Sequence, residues 1–149
     1  MSLEKRIVSD LKEAMKAKDK VSLRGIRAIK AAILLAKTDG SGEEFTEDKG
    51  IKMLQKMVKQ RRDSLAIYEE QGREELAQTE REEIDVIEKY LPAQMSPEEL
   101  EKEVKAIVEQ TGASSMKDMG RVMGMASKKF AGRADGKAIS TIVKKLLSA

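Results

Sequence analysis

Six cations crowd the C-terminal end of the sequence: Lys117, Arg121, Lys128, Lys129, Arg133 and Lys137. Their chemistry is that of fixed positive charge, which pairs with phosphate and steers polyanions rather than moving protons. Residues 113–149 carry eight Lys/Arg against two acids, Asp118 and Asp135, a local charge of +6. Residues 1–112 hold the other 21 bases and 24 acids, a local −3, so the overall +3 conceals a division by segment. Within that longer part, Lys49–Arg62 has six bases and no acid, whereas Ala66–Leu91 has nine acids and three bases.

Proton-transfer and metal chemistry have few candidates. The 149 residues contain no histidine and no cysteine. The commonest general base, the commonest metal ligand, thiolate metal sites and a cysteine nucleophile are therefore all missing. Gly132-Arg-Ala-Asp-Gly136-Lys137 has a phosphate-loop look. It places three residues between the glycines instead of four, and Ala138 stands where a magnesium-binding Ser/Thr would be. The glutamates 74, 75, 82, 83 and 88, with Arg73, Arg81 and Lys89 among them, read as a solvated face. No catalytic residue, metal site or cofactor is expected.

Two features could serve binding. Gly120-Arg-Val-Met-Gly124 is a GxxxG within a helical pattern, and each glycine there costs roughly 0.5–1 kcal/mol relative to alanine. The pair either packs tightly against a neighbouring helix or leaves a bare backbone patch, flanked by Lys117, Arg121 and Lys128, that admits a sugar-phosphate chain. The start of the last helix, near Gly136 and Lys137, offers unpaired N–H groups and a positive dipole end to phosphate. Aromatics make up 3% of the chain, namely Phe45, Tyr68, Tyr90 and Phe130. Base stacking is accordingly not expected, and shape and backbone contacts to structured RNA fit better.

The elements that must hold these residues are all helices. Leu3, Ile7, Leu11 and Ala14/Met15 recur at helical spacing behind Ser2 as N-cap. After Lys18-Asp19-Lys20 a second helix carries Leu23, Ile26, Ile29, Ile33 and Ala36, ending before Thr38–Gly42. Thr46 caps a third, with Ile51, Leu54, Val58, Leu65 and Tyr68 inward, Lys52, Lys56 and Lys59 outward, and Gly72 as its stop. The fourth buries Leu76, Ile84, Ile87 and Leu91. Ser96-Pro97-Glu98-Glu99 is a capping box that opens a fifth with Leu100, Val104 and Ile107/Val108. Met119, Val122/Met123, Ala126 and Phe130 line a sixth, and Ile139, Ile142/Val143 and Leu146 a seventh capped by Asp135. This is an all-α chain: a four-helix N-terminal subdomain, residues 1–92, and a small three-helix C-terminal one, residues 93–149.

Several ordered blocks carry a family likeness. Met-Lys-Asp-Met-Gly-Arg-Val-Met-Gly (116–124), Gly-Arg-Ala-Asp-Gly-Lys (132–137) and Ile-Val-Lys-Lys-Leu-Leu (142–147) resemble the C-terminal signature of the GatB/YqeY family. Ile-Arg-Ala-Ile-Lys-Ala-Ala (26–32), Lys-Gln-Arg-Arg-Asp-Ser (59–64), Gly-Arg-Glu-Glu-Leu (72–76) and Glu-Lys-Tyr-Leu-Pro-Ala-Gln-Met-Ser (88–96) are similar to free-standing YqeY-like proteins. The resemblance implies a two-part helical fold like the helical and tail portions of the GatB subunit of aspartyl/glutamyl-tRNA amidotransferase. In that enzyme the tail contacts tRNA, and chemistry happens in other domains and subunits. GatB tails typically read Gly-Lys-Ala-Asn-Pro where this chain has Gly132-Arg-Ala-Asp-Gly136. The family is associated with carbon–nitrogen ligase activity using glutamine as amido-N-donor. This chain shows neither the GatB kinase domain nor an amidase serine–lysine set.

The expectation is a tRNA-binding or tRNA-metabolism accessory protein whose partner is structured RNA. The alternative is a protein–protein adaptor docking on a synthetase or an amidotransferase subunit. The start Met-Ser-Leu-Glu-Lys-Arg lacks an apolar h-region, and no apolar run approaches the ~20 residues of a membrane span. A cytoplasmic protein with no membrane partner is expected.

Overall fold

A computed structural model describes residues 2–148, which form two compact units divided between Leu91 and Pro92. That division falls one residue before the boundary read from the sequence.

The first unit is built from α1 (Leu3–Ala17), α2 (Lys20–Lys37), α3 (Glu47–Glu70) and α4 (Glu74–Glu88). Local chemistry sets the boundaries. Ser2 Oγ accepts the Lys5 N–H at 3.3 Å to start α1. Lys18 closes it in a left-handed conformation, φ 54°. Asp19 immediately caps α2, accepting the Ser22 N–H at 3.1 Å and its hydroxyl at 2.7 Å. Thr46 caps α3, and Gly72, at φ 71°, turns the chain into α4. The helices pair as two hairpins, α1 with α2 and α3 with α4, and α2 lies against α4. The core they enclose is Ile7, Ile26, Ile29, Ile33, Leu54, Met57, Val58, Ile84, Val86 and Ile87.

Of the Ala14/Met15 pair on α1, Ala14 is the buried member. One inward assignment shifts: on α4, Ala77 is buried and Leu76 is exposed. Leu76 does lie on the stripe that runs through Glu80, Glu83 and Ile87 at helical spacing. It stays uncovered because the main core does not extend to this end of the α3–α4 hairpin, where Ala77 is buried outside the core cluster.

The second unit consists of α5 (Pro97–Thr111), a 3₁₀ turn (Met116–Asp118), α6 (Met119–Lys129) and α7 (Gly136–Leu147). Ser96 Oγ accepts the Glu99 N–H at 3.1 Å, with Pro97 in the first turn, where its missing N–H costs nothing. Gly112 ends α5 at φ 68°. Leu100, Val104, Ile107, Val122, Ala126, Phe130, Ile139, Val143 and Leu147 form the core, so Leu147 takes the innermost place expected of the half-buried Leu146. Three hydrogen bonds tie the entering chain to the α6–α7 loop. Met95 N donates to Arg133 O at 3.0 Å, Gln94 Nε2 to Gly132 O at 2.7 Å, and Arg133 Nε to Ala93 O at 3.2 Å.

Candidate nucleic-acid interface

All six expected cations are exposed, and three of them, Arg121, Lys128 and Lys129, lie on α6. Its core-facing side holds Val122, Ala126 and, one residue beyond the helix, Phe130. At 100° per residue the opposite side is Gly120, Arg121, Gly124 and Lys128, one continuous solvent-facing ridge. A β-carbon added at Gly120 or Gly124 would meet nothing within 4 Å. The tight intramolecular packing considered for this pair does not occur. What remains is bare helical backbone between an arginine and a lysine.

The six cations divide by what they already hold. Arg121 Nη2 donates to the Thr111 carbonyl at 3.2 Å, near the C-terminus of α5, and to Asp118 at 3.4 Å. Arg133 holds the Ala93 carbonyl, and Lys129 pairs with Glu103 at 3.4 Å. Lys117, Lys128 and Lys137 form no ion pair among the described residues. Lys144 was not singled out in the sequence. It lies seven residues after Lys137, on the same outer face of α7, and is likewise exposed and unpaired. The seven-residue spacing was the signal for it. Its neighbour Lys145 is engaged with Glu101 at 2.9 Å.

One expected contribution is weakened. Asp135 Oδ1 accepts the Ala138 N–H at 2.7 Å, so a carboxylate already occupies the N-terminus of α7 that was expected to receive phosphate. Asp118 plays a comparable local part. The Ser114 N–H, and then other backbone N–H groups and Arg121, hold its carboxyl below the usual carboxylate range. Phe130 is buried in the core and offers no face for stacking.

The glutamates of α4 are not uniformly solvated. Glu80 and Glu83 fall on its inward stripe, and Glu83 is 15% exposed. Its carboxylate lies 3.8 Å from Arg24 Nε and 3.7 Å from Arg61 Nε. Glu82 meets Arg24 at 3.3 Å, Glu88 meets Arg62 at 2.5 Å, and Glu74 meets Arg81 at 2.6 Å. Burial, followed by repulsion from Glu83, pushes the Glu80 carboxyl up. Tyr90 donates to Asp10 at 2.5 Å with Arg6 over its ring, and burial and that bond push its phenol up. Apart from Glu74–Arg81, which lies within α4, these ion pairs and hydrogen bonds join segments distant in sequence. Among the described residues no group of three or more acids is placed to hold a metal ion.

An all-helical chain of two small units with a glycine-bearing basic helix is the architecture the sequence likeness implied. The sequence model of the family described as Yqey-like protein matches residues 4–147, and the chain belongs to that family. Curated fungal relatives share the name altered inheritance of mitochondria protein 41, mitochondrial. The one from Pyrenophora tritici-repentis is 30% identical over 97% of this chain and 80% of its own length. The one from Vanderwaltozyma polyspora is 33% identical over 74% of this chain and 63% of its own length. The one from Clavispora lusitaniae is 42% identical over 55% of this chain and 47% of its own length. The matched stretch thus spans between about half and two thirds of the last two proteins. Among the described residues no helix is long and apolar enough to cross a membrane.

Proposed function

We propose that the protein is a tRNA-binding accessory protein whose C-terminal unit grips the sugar-phosphate backbone of structured RNA. The observation that carries this reading is the ridge of α6, where Gly120 and Gly124 leave the backbone bare between Arg121 and Lys128. Two helical glycines forgo roughly 0.5–1 kcal/mol each, and here no packing inside the unit offsets that loss. A surface that must come close from outside would. Lys117 and Lys128 flank it in sequence, and Lys137 and Lys144 on α7 add exposed charge to the same unit; none of the four has an ionic partner among the described residues. Such contacts position a nucleic-acid backbone without reading its bases. The likeness to the GatB tail supports tRNA among structured RNAs, and binding rather than amide transfer is the role assigned. A mitochondrial setting, carried by the relatives' names, is the finer reading of the compartment, against the cytoplasm expected from the sequence.

The test is a titration of the full chain with bulk tRNA at several salt concentrations. Affinity should fall steeply as salt rises, and Lys117→Glu with Lys128→Glu should weaken it further. A complex that fails to form at low salt, or one indifferent to those substitutions, would end the reading.

A further inference from the structure

Two apolar patches of the first unit are left uncovered, and their surroundings carry opposite charge. Leu34 and Leu35, in the last turns of α2, are 64% and 72% exposed. Arg27, Lys30, Leu34 and Lys37 follow one another along one ridge of the helix, and Lys20–Lys37 contains no acid. Arg27 and Lys30 form no ion pair among the described residues, and Lys37 pairs with Glu4 at 3.0 Å.

The second patch is at the α3–α4 turn. Ile67 and Leu76 are 52% and 40% exposed. Glu69, Glu70, Glu74 and Glu75 surround them in sequence and are exposed, with Arg73 the base between them. Arg81 takes up Glu69 and Glu74, which leaves Glu70 and Glu75 without an ionic partner among the described residues. The two patches do not cover each other, since all four apolar side chains remain 40% exposed or more.

We propose that the basic, leucine-bearing ridge of α2 docks on the acidic α3–α4 turn of a second copy of this chain. Charge complementarity selects that occupant: the surface the α2 ridge requires is acidic with exposed aliphatic side chains, and the chain carries one. The contact joins unlike patches, so it either closes as a pair that makes it twice or continues from copy to copy. So few exposed apolar side chains, rimmed by charge, belong at the small, transient end of the range of protein interfaces. The inference is independent of RNA binding, because every residue it uses lies in the other unit.

Sedimentation of the RNA-free full chain over a range of concentrations at low salt tests it. The weight-average mass should rise with concentration and fall back toward the monomer at about 1 M salt, where the Debye length is about 3 Å. Arg27→Glu with Lys30→Glu should sediment as monomer, and so should Glu70→Lys with Glu75→Lys. An equimolar mixture of these two variants should associate again, since the reversed, acidic α2 ridge of the first meets the basic turn of the second, and the unchanged basic ridge of the second meets the acidic turn of the first. Leu34→Ser, which lies on the same ridge and leaves the charges in place, should also lower the association. A wild-type chain that stays monomeric at every concentration overturns the proposal. So does association that survives either reversal, or a mixture that fails to recover it.

Discussion

Gly25 lies so close against Val86 that a β-carbon at position 25 would sit 2.6 Å from both Cβ and Cγ1 of that valine. This contact sets the spacing between α2 and α4, and the obstructing atoms sit at the rigid, branched base of the side chain. Gly25→Ala should therefore cost about 1–3 kcal/mol through overpacking, despite alanine's better helix propensity. Urea unfolding of the full chain measures it, and a neutral or stabilising result would mean the helices separate freely.

The glycines of α6 should behave in the opposite way. Nothing lies within 4 Å of a β-carbon at either position, so Gly120→Ala and Gly124→Ala should each raise stability by about 0.5–1 kcal/mol. If the bare ridge is the RNA contact, the double variant becomes more stable and binds tRNA less tightly. Opposite movement of melting temperature and affinity is the signature to look for, and joint movement would count against the ridge.

The cations should separate into two groups. Lys128→Ala and Lys137→Ala should leave thermal unfolding unchanged while each reduces the slope of log affinity against log salt by about one. Arg121→Ala and Arg133→Ala remove bonds to the Thr111 and Ala93 carbonyls and should cost about 1 kcal/mol of stability each. Melting curves beside salt titrations distinguish the groups.

Removing the Glu83 carboxylate takes from Arg61 its one ionic partner among the described residues, while Arg24 keeps Glu82 at 3.3 Å. Glu83→Ala should cost about 2 kcal/mol, less than the 3–5 kcal/mol of a fully buried pair, because the Arg24 side chain is 39% exposed. Replacing Arg61 in the Glu83→Ala background should then cost little more, a non-additivity that a double-mutant cycle reads directly, whereas replacing Arg24 still removes its bond to Glu82.

Acid titration should show two opposing contributions. Glu80 binds its proton more tightly in the folded state, so between the ordinary value of 4.5 and its raised value stability falls as pH rises. Glu80→Gln should remove that slope. Asp19, whose carboxyl is lowered chiefly by the Ser22 hydroxyl, contributes stability above its ordinary 3.8 and loses it as pH falls through the lowered value. Asp19→Asn should flatten the acid limb of the unfolding profile.

Local chemistry made much of the fold legible. Ser2, Thr46, Ser96 and Asp135 are readable as caps because each needs only its own side chain and an N–H about three residues on, and Asp19, legible only as a break between helices, caps α2 by the same chemistry. What a helix face meets is a different matter, since it depends on residues distant in sequence. The phase of Leu76 on α4 was right, but the core stops short of it. Glu83 shares that phase but reads as part of a solvated face by charge, and only the approach of Arg24 and Arg61 from distant helices shows otherwise. The Gly120–Gly124 spacing stated that something approaches closely, but not whether it belongs to the same molecule. The six cations of the candidate interface were correctly expected on the surface, whereas spacing alone could not separate those holding the fold from those left over.

The hydrogen bonds that join residues 93–95 to Gly132 and Arg133 also define where the second unit can be cut. A fragment begun at Ser96 would keep every helix of that unit yet lose one side of all three bonds. The loop holding Arg133 would then fray, and the fragment would understate the unit's stability and whatever it binds. A fragment begun at Pro92 retains the clasp, and the Met95 amide proton, which donates to the Arg133 carbonyl, should exchange slowly in it.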